Sequence, residues 1–276
     1  IPNVFTKNED MANSDVVDAV YIATPHPFHK PCAEVFMNAK KHVLCEKPIA
    51  FTKAKSSGLY ELAKANNLVL LEAVKTAYCP GFQQLINIAG SGKIGEIRDV
   101  EACFTRLADV NARERADAEF GGSFLEFGSY TLLPILKLLG LNYKDIYFHT
   151  IKGENGIDLY TKLFMTYDNA MASAKMGVGV KSEGQLVIAG TKGYILAESP
   201  WWLTKKFVVR YENPNHIETY EPTFQGDGLR YEIGEFISQI NGHGKNGYKL
   251  TAEEAIAMAE ITEKFMEIRR SDKMGN

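Results

Sequence analysis

Lys47 stands between Glu46 and Pro48, directly after the apolar run Val43-Leu44-Cys45. A lysine delivered by a buried strand to its carboxyl end can take or give a proton beside a reacting hydroxyl. Burial and a neighbouring positive charge both favour the neutral form of an amine. The same spacing also suits a solvated lysine in a strand–helix loop, so the residues alone leave both readings open. A second apolar run ends in the same way, at Ala23-Thr24-Pro25. His26 and His29 are three apart, but no third ligand type lies near them in sequence, and no metal is expected. Pro200-Trp201-Trp202 offers either a flat wall for a sugar ring or ordinary sheet packing. Cys32, Cys45, Cys79 and Cys103 form no CxxC pair and read as reduced, mostly buried thiols of a cytoplasmic protein.

The elements that must carry these residues follow from hydropathy and turn signals. Residues 16–23 form a nearly continuous apolar run interrupted by Asp18, which suits a parallel strand covered on both faces. A helix is expected over 29–38, a strand over 42–45, a helix over 52–66 and a strand over 68–72. Right-handed crossovers would make the three strands parallel, and such sheets bind ligands at their carboxyl ends. Residues 8–15 read as a polar loop, so the chain starts as if in the middle of a sheet.

After Glu72 the pattern changes. A helix is expected over 80–89, a strand over 96–105 and a helix over 121–139 closed by Gly140. Strands follow at 145–151, 159–167, 170–178, 184–189, 193–197 and 206–211, spaced as in an antiparallel sheet. Two helices close the chain, over 228–240 and 251–269, the second opened by a Thr251/Glu254 capping box. The fold class is therefore α/β. A partial Rossmann segment over 1–73 is followed, over 74–276, by an α+β domain with a large open, mainly antiparallel sheet.

Composition excludes several classes. A formal net charge of −3 gives no pull toward nucleic acid or an acidic membrane. The longest apolar runs are too short to span a bilayer. The one match to GxGxxG, Gly90 to Gly95, follows a helix and precedes a strand, the reverse of a dinucleotide-binding turn. It reads as a helix end and turn.

Lys40-Lys41-His42-Val43-Leu44-Cys45-Glu46-Lys47-Pro48 resembles the central motif of the Gfo/Idh/MocA family, the glucose-fructose oxidoreductase and inositol dehydrogenase group. Ala23-Thr24-Pro25 with His29, the stretch Gly121 to Tyr130, and Ala189-Gly190-Thr191-Lys192-Gly193-Tyr194 are similar to that family too. The resemblance covers essentially the whole chain.

It implies a Rossmann domain, a second domain used for substrate binding and oligomerisation, and hydride transfer between NAD or NADP and a hydroxyl-bearing carbon. The substrate would be a sugar, polyol or cyclic diol, and the protein a homo-oligomer, dimer or tetramer. Lys47 and Tyr130 would be catalytic. Glu126, Tyr78 and Trp202 would touch substrate, and Ala23, Thr24, Pro25, His29, Glu46, Lys47 and Pro48 the cofactor. A tyrosine at position 130 resembles the dihydrodiol dehydrogenase branch, where it serves as general acid/base. Glu126 and Tyr130, four apart on a helix, would share a face. A free phenol titrates near about 10, so Tyr130 would need Lys47 close by. Packing and capping within an amphipathic helix is the other reading of this pair.

The sequence departs from the family pattern at three places. Ala77 stands where an arginine is usual, with Lys75 the nearest cation, and Glu126 replaces an aspartate. Roughly 60 residues that would carry the first strand, the glycine loop and the ribose-reading acid are missing from the usual spacing of Rossmann elements. The alternative reading is a truncated, inactive relative that acts as an oligomeric or partner-binding protein.

Overall fold

A computed structural model describes residues 2–243 and 249–274. The chain runs α1 (Asn8–Ala12), β1 (Ala19–Ile22), α2 (His29–Asn38), β2 (His42–Glu46), α3 (Lys53–Ala65), β3 (Leu70–Ala73), α4 (Pro80–Gly90), β4 (Ile97–Thr105), α5 (Arg113–Ala116) and α6 (Ser123–Leu139). It continues β5 (Asp145–Lys152), β6 (Asp158–Thr166), β7 (Met171–Gly177), β8 (Leu186–Gly190), β9 (Gly193–Ala197), β10 (Phe207–Tyr211), β11 (Ile217–Tyr220), α7 (Leu229–Ile240) and α8 (Ala252–Met274). Contacts divide it into two units, Ile1–Lys75 with Leu229–Met266, and Thr76–Gly228 with Glu267–Asn276.

In the first unit β1, β2 and β3 form a parallel sheet in that order, with β2 central. The register pairs Ile22 with Cys45, and Cys45 in turn with Glu72. Helix α2 lays Cys32, Ala33, Phe36 and Met37 on the sheet, where they join Val20, Ile22, Val43 and Leu59 in one apolar core. Burial of such side chains is the main favourable term for a unit of this kind. Thr52 caps α3 by accepting the Lys55 N–H at 3.2 Å. His42 ties β2 to the start of β3, its Nδ1 lying 2.9 Å from the Val69 nitrogen. The capping box at α8 is present in both directions, Thr251 N–H to Glu254 and Glu254 N–H to Thr251 Oγ1.

In the second unit one mixed sheet of eight strands runs β11-β10-β9-β8-β4-β7-β6-β5. All its pairings are antiparallel except β4 with β7, which is parallel. Helix α6 packs on β4, β6 and β7. It ends at Gly140, whose φ of +83° is a left-handed turn that a side chain would strain.

Four sequence expectations need correction. Val16 is 65% exposed and precedes β1, which starts only at Ala19, and Tyr21 is 45% exposed because in β1 only Val20 and Ile22 face the core. The polar stretch read as loop contains the short helix α1, whose Ala12 reaches the core. Strand β11 was not expected, since Ile217-Glu218-Thr219-Tyr220 is short and its polar residues hide the alternation. Leu229–Met266 packs with the first unit rather than with all that follows residue 73. Lys53 holds it there, pairing with Glu260 at 2.8 Å while its backbone N–H donates to Glu263 at 2.9 Å.

Candidate active site

The carboxyl ends of β1 and β2, both in the first unit, carry the residues expected at the cofactor. Ala23, Thr24 and Pro25 follow β1 and are exposed, whereas Glu46 is half-buried and Lys47 and Pro48 are buried. Lys47 is only 7% exposed, so it is not the solvated loop lysine that its spacing also allowed. Central strands deliver residues into the interior at their ends, and β2 has a neighbour on both sides.

His29, expected among the cofactor contacts, is fully buried. Its Nδ1 lies 2.8 Å from the Pro48 carbonyl oxygen and its Nε2 2.8 Å from the Thr24 carbonyl oxygen. A ring with both nitrogens engaged and no exposed surface has nothing left for a ligand. It clips the loop after β1 to the loop after β2. His26 is also buried, with its ring 5.6 Å from that of His29.

Two groups here escaped sequence reasoning. The Tyr21 phenol donates to Glu46 across the β1–β2 pair. Burial and the Glu46 carboxylate push its pKa well above the usual phenol value. Glu72, 2% exposed, accepts the Ile49 N–H at 3.0 Å. Desolvation pushes its carboxyl up to about 7, against the opposing pull of the Ile49 N–H and the Lys47 charge. The available signal for Glu72 was a lone carboxylate closing an otherwise apolar strand.

In the second unit, α6 carries the other expected pair. From Ser123 through Leu136 every residue of this helix is buried except Glu126 and Tyr130. The pair four apart therefore opens the one accessible stripe on a helix that is otherwise core, as the shared-face expectation required. The Glu126 carboxylate is flanked by the Arg113 guanidinium at 3.4 Å and that of Arg106 at 3.9 Å; Arg106 also pairs with Glu114 at 3.0 Å. Tyr130 lies against Phe104, ring centroids 5.2 Å apart. Phe104 is sandwiched, stacking on Phe127 at 4.3 Å and on Trp202 at 3.7 Å. Trp202 is half-buried with one face spent on Phe104, while Trp201 is buried and donates its indole N–H to the Cys103 carbonyl at 2.7 Å. The tryptophan pair is thus divided: Trp201 is sheet packing, and Trp202 keeps some accessible surface. Tyr78, expected to touch substrate, is 1% exposed and belongs to the core. Its neighbours explain this, since Thr76 Oγ1 donates to the Trp202 carbonyl at 2.8 Å and draws the segment inward.

A buried carboxylate holds the amino end of α6. Asp158 Oδ2 accepts from Ser123 Oγ at 2.6 Å, the Phe124 N–H at 2.7 Å and Thr161 Oγ1 at 2.7 Å. An anion here complements the helix dipole and satisfies an N–H that has no partner within the helix. Gly122, with φ +113°, is required at this place, because a Cβ would stand 2.1 Å from Asp158 Oδ1. Arg269 closes the cluster, donating to the carbonyls of Gly121 and Ala118 at 2.9 Å each and lying 3.9 Å from Asp158. Sequence reasoning missed this cluster because its members are far apart in the chain.

The four cysteines are free and buried. The GxGxxG match forms the turn after α4, as its context required. Among the described residues no helix is long and apolar enough to cross a membrane.

The profile of an oxidoreductase family with an NAD-binding Rossmann fold, GFO/IDH/MocA, matches residues 1–74, and the GFO/IDH/MocA C-terminal domain matches residues 82–196. The chain is 29% identical over 269 residues to a scyllo-inositol 2-dehydrogenase (NADP(+)) of Bacillus subtilis, covering 95% of this chain and 80% of the relative. It is 27% identical over 282 residues to trans-1,2-dihydrobenzene-1,2-diol dehydrogenase of Sus scrofa, covering 98% and 82%. The fold is similar to that of a levoglucosan dehydrogenase solved with NADH and levoglucosan (TM-score 0.82, 17% identity, 97% and 82% covered). It is also similar to a 3-ketoreductase of Actinomadura kijaniata solved with NADP (TM-score 0.75, 20% identity, 92% and 79% covered).

Proposed function

The chain belongs to the Gfo/Idh/MocA oxidoreductase family, and from that premise we propose that it oxidises or reduces a CH–OH carbon of a cyclic polyol, sugar or diol with NAD or NADP. One observation carries the reading: Lys47 is buried at the carboxyl end of the central strand of a parallel sheet, where a ligand of such a sheet is met. The chain's relatives include enzymes named for an inositol and for a cyclic dihydrodiol, and both substrates carry vicinal hydroxyls on a ring.

The residues present suit the nicotinamide end of the cofactor. Ala23, Thr24 and Pro25 offer exposed backbone beside the sheet edge, and Glu46, Lys47 and Pro48 close it from β2. These would hold the nicotinamide and its ribose, which when bound supply or accept the hydride. Lys47 Nζ holds the substrate hydroxyl and takes part in moving its proton. Tyr130 Oη shares that proton, and Glu126 orients the hydroxyls. His29 keeps the two strand-end loops in register while this happens. Trp202 gives the sugar or diol ring an apolar surface.

The same reading makes the protein cytoplasmic and a homo-oligomer formed by a second copy on the open sheet. Tyr147, Ile151, Phe164 and Met171 on β5 to β7 are all more than 40% exposed, more apolar surface than a strand face in water needs. Light scattering after gel filtration tests this; a monomer at all concentrations refutes it.

The chemistry is tested by Lys47→Ala. Turnover of NADP+ with a panel of inositols and cyclic diols should fall by about 10²–10⁴-fold, with the circular dichroism spectrum unchanged. Retained turnover in the folded variant removes the assignment.

A further inference from the structure

Glu72 has no part in the reading above, yet the fold places it next to Lys47. It is the register partner of Cys45, two residues before Lys47, and lies on the strand adjacent to the one that delivers the lysine. Its Oε1 accepts the Ile49 N–H, so the carboxyl is bonded to the same loop that carries Lys47 and Pro48. That loop is also held by His29, through the Pro48 carbonyl. The titratable groups that face Glu72 are Lys47 and Glu46 at the end of β2, and Cys45 within it. Among them Lys47 alone favours the carboxylate. A carboxylate this deeply buried is tolerated when a cation and hydrogen-bond donors compensate it. The Ile49 N–H is one such donor, and the Lys47 charge pulls the same way.

We propose that Glu72 is the positioning residue for Lys47: its buried carboxylate anchors the Ile49 loop and holds the Lys47 ammonium at the carboxyl end of β2, and uptake of a proton by Glu72 releases that hold. This rests on the reading of Lys47 as the group that meets the reacting hydroxyl. The step is a simple protonation, in which a solvent proton adds to the carboxylate and the charge opposing Lys47 disappears. Because burial brings the carboxyl up to about 7, both states are populated near neutral pH. Above that range Lys47 is held in register, and below it the lysine loses its counter-charge.

The test uses the whole chain with ¹³C-labelled glutamate carboxyls, followed by NMR against pH. The resonance lost in Glu72→Gln, or moved in Glu72→Asp should the glutamine variant not fold, identifies Glu72. Its midpoint should lie near 7 and rise by about 1 pH unit or more in Lys47→Met, which keeps the bulk and removes the charge. A midpoint in the ordinary range of about 4 to 5, or one that Lys47→Met leaves in place, overturns the proposal. This arm needs no turnover, so it decides the ion pair even if Lys47→Ala shows that the lysine does no chemistry. With NADP+ and an accepted polyol, Glu72→Gln should lower kcat about tenfold or more, leave the NADP+ KM unchanged and remove the pH limb near 7, with partial rescue by Glu72→Asp. Loss of kcat with the pH profile unchanged and no rescue by Glu72→Asp overturns the positioning role.

Discussion

Two regions of the chain, one in each unit, handle charge in opposite ways. At the end of β2, Lys47 and Glu72 are 7% and 2% exposed, and desolvation pushes the Glu72 carboxyl up against the opposing pull of the Ile49 N–H and the Lys47 charge. On α6, the Glu126 side chain is 16% exposed and is met by arginines that are 41% and 61% exposed. Inside, charges interact strongly and a missing partner is expensive; outside, water and salt screen the same pairs. The first region is set by strand register, which leaves Lys47 little freedom. The second is set by a helix whose position depends on a buried clasp at its amino end, while the groups it displays stay adaptable.

The sharpest way to break this contrast is to attack the clasp. Asp158→Ala leaves Ser123, Thr161 and the Phe124 N–H without their acceptor and Arg269 without its nearest carboxylate. A loss of about 3 kcal/mol or more is expected in chemical denaturation, because buried polar groups are left unpaired. A loss under about 1 kcal/mol would mean that α6 is held by its apolar faces alone.

A comparable effect, visible only through pH, belongs to Glu72. Its folded pKa of about 7 lies above the ordinary 4.5, so the folded state binds this proton more tightly than the unfolded chain. The stability it contributes is complete below about 4.5 and is lost as pH rises through about 7. Wild-type stability should therefore fall by roughly 3 kcal/mol across that window from this group, and Glu72→Gln should lack that slope. Equal slopes for the two proteins in urea melts from pH 4 to 8 would place the carboxyl in a much wetter setting.

The smallest effect is expected on the exposed side. Arg113→Ala breaks the 3.4 Å pair with Glu126, and stability should change by less than about 1 kcal/mol, because both charges can hydrate. The substrate KM should move while the NADP+ KM does not. A larger stability loss in thermal melts would show that the charges on α6 are as tightly coupled as those at the end of β2.

Much of this molecule is legible in its sequence. The order of strands and helices follows from apolar runs, turn residues and caps, and most elements begin or end within a residue or two of the expectation. Lys47 stands at the end of a buried run, a spacing that a solvated loop lysine shares, and Glu126 with Tyr130 were singled out by the family resemblance. Tyr78, expected at the substrate, is 1% exposed, which a motif position by itself does not tell. His29 was placed among cofactor contacts by the same kind of argument, although both of its ring nitrogens are occupied by carbonyls.

What the sequence determined by itself is local: alternation, periodicity, capping, and which residue types end each strand, all of which depend on neighbours within a few positions. What only the tertiary structure decided is pairing at a distance. The parallel partnership of β4 with β7, the Asp158–Arg269 clasp on α6 and the burial of Glu72 beside Lys47 each join residues far apart in the chain. Such contacts leave no periodic trace. They arise when packing brings polar groups out of water, and a buried charge then becomes tolerable only beside the one partner that the fold supplies.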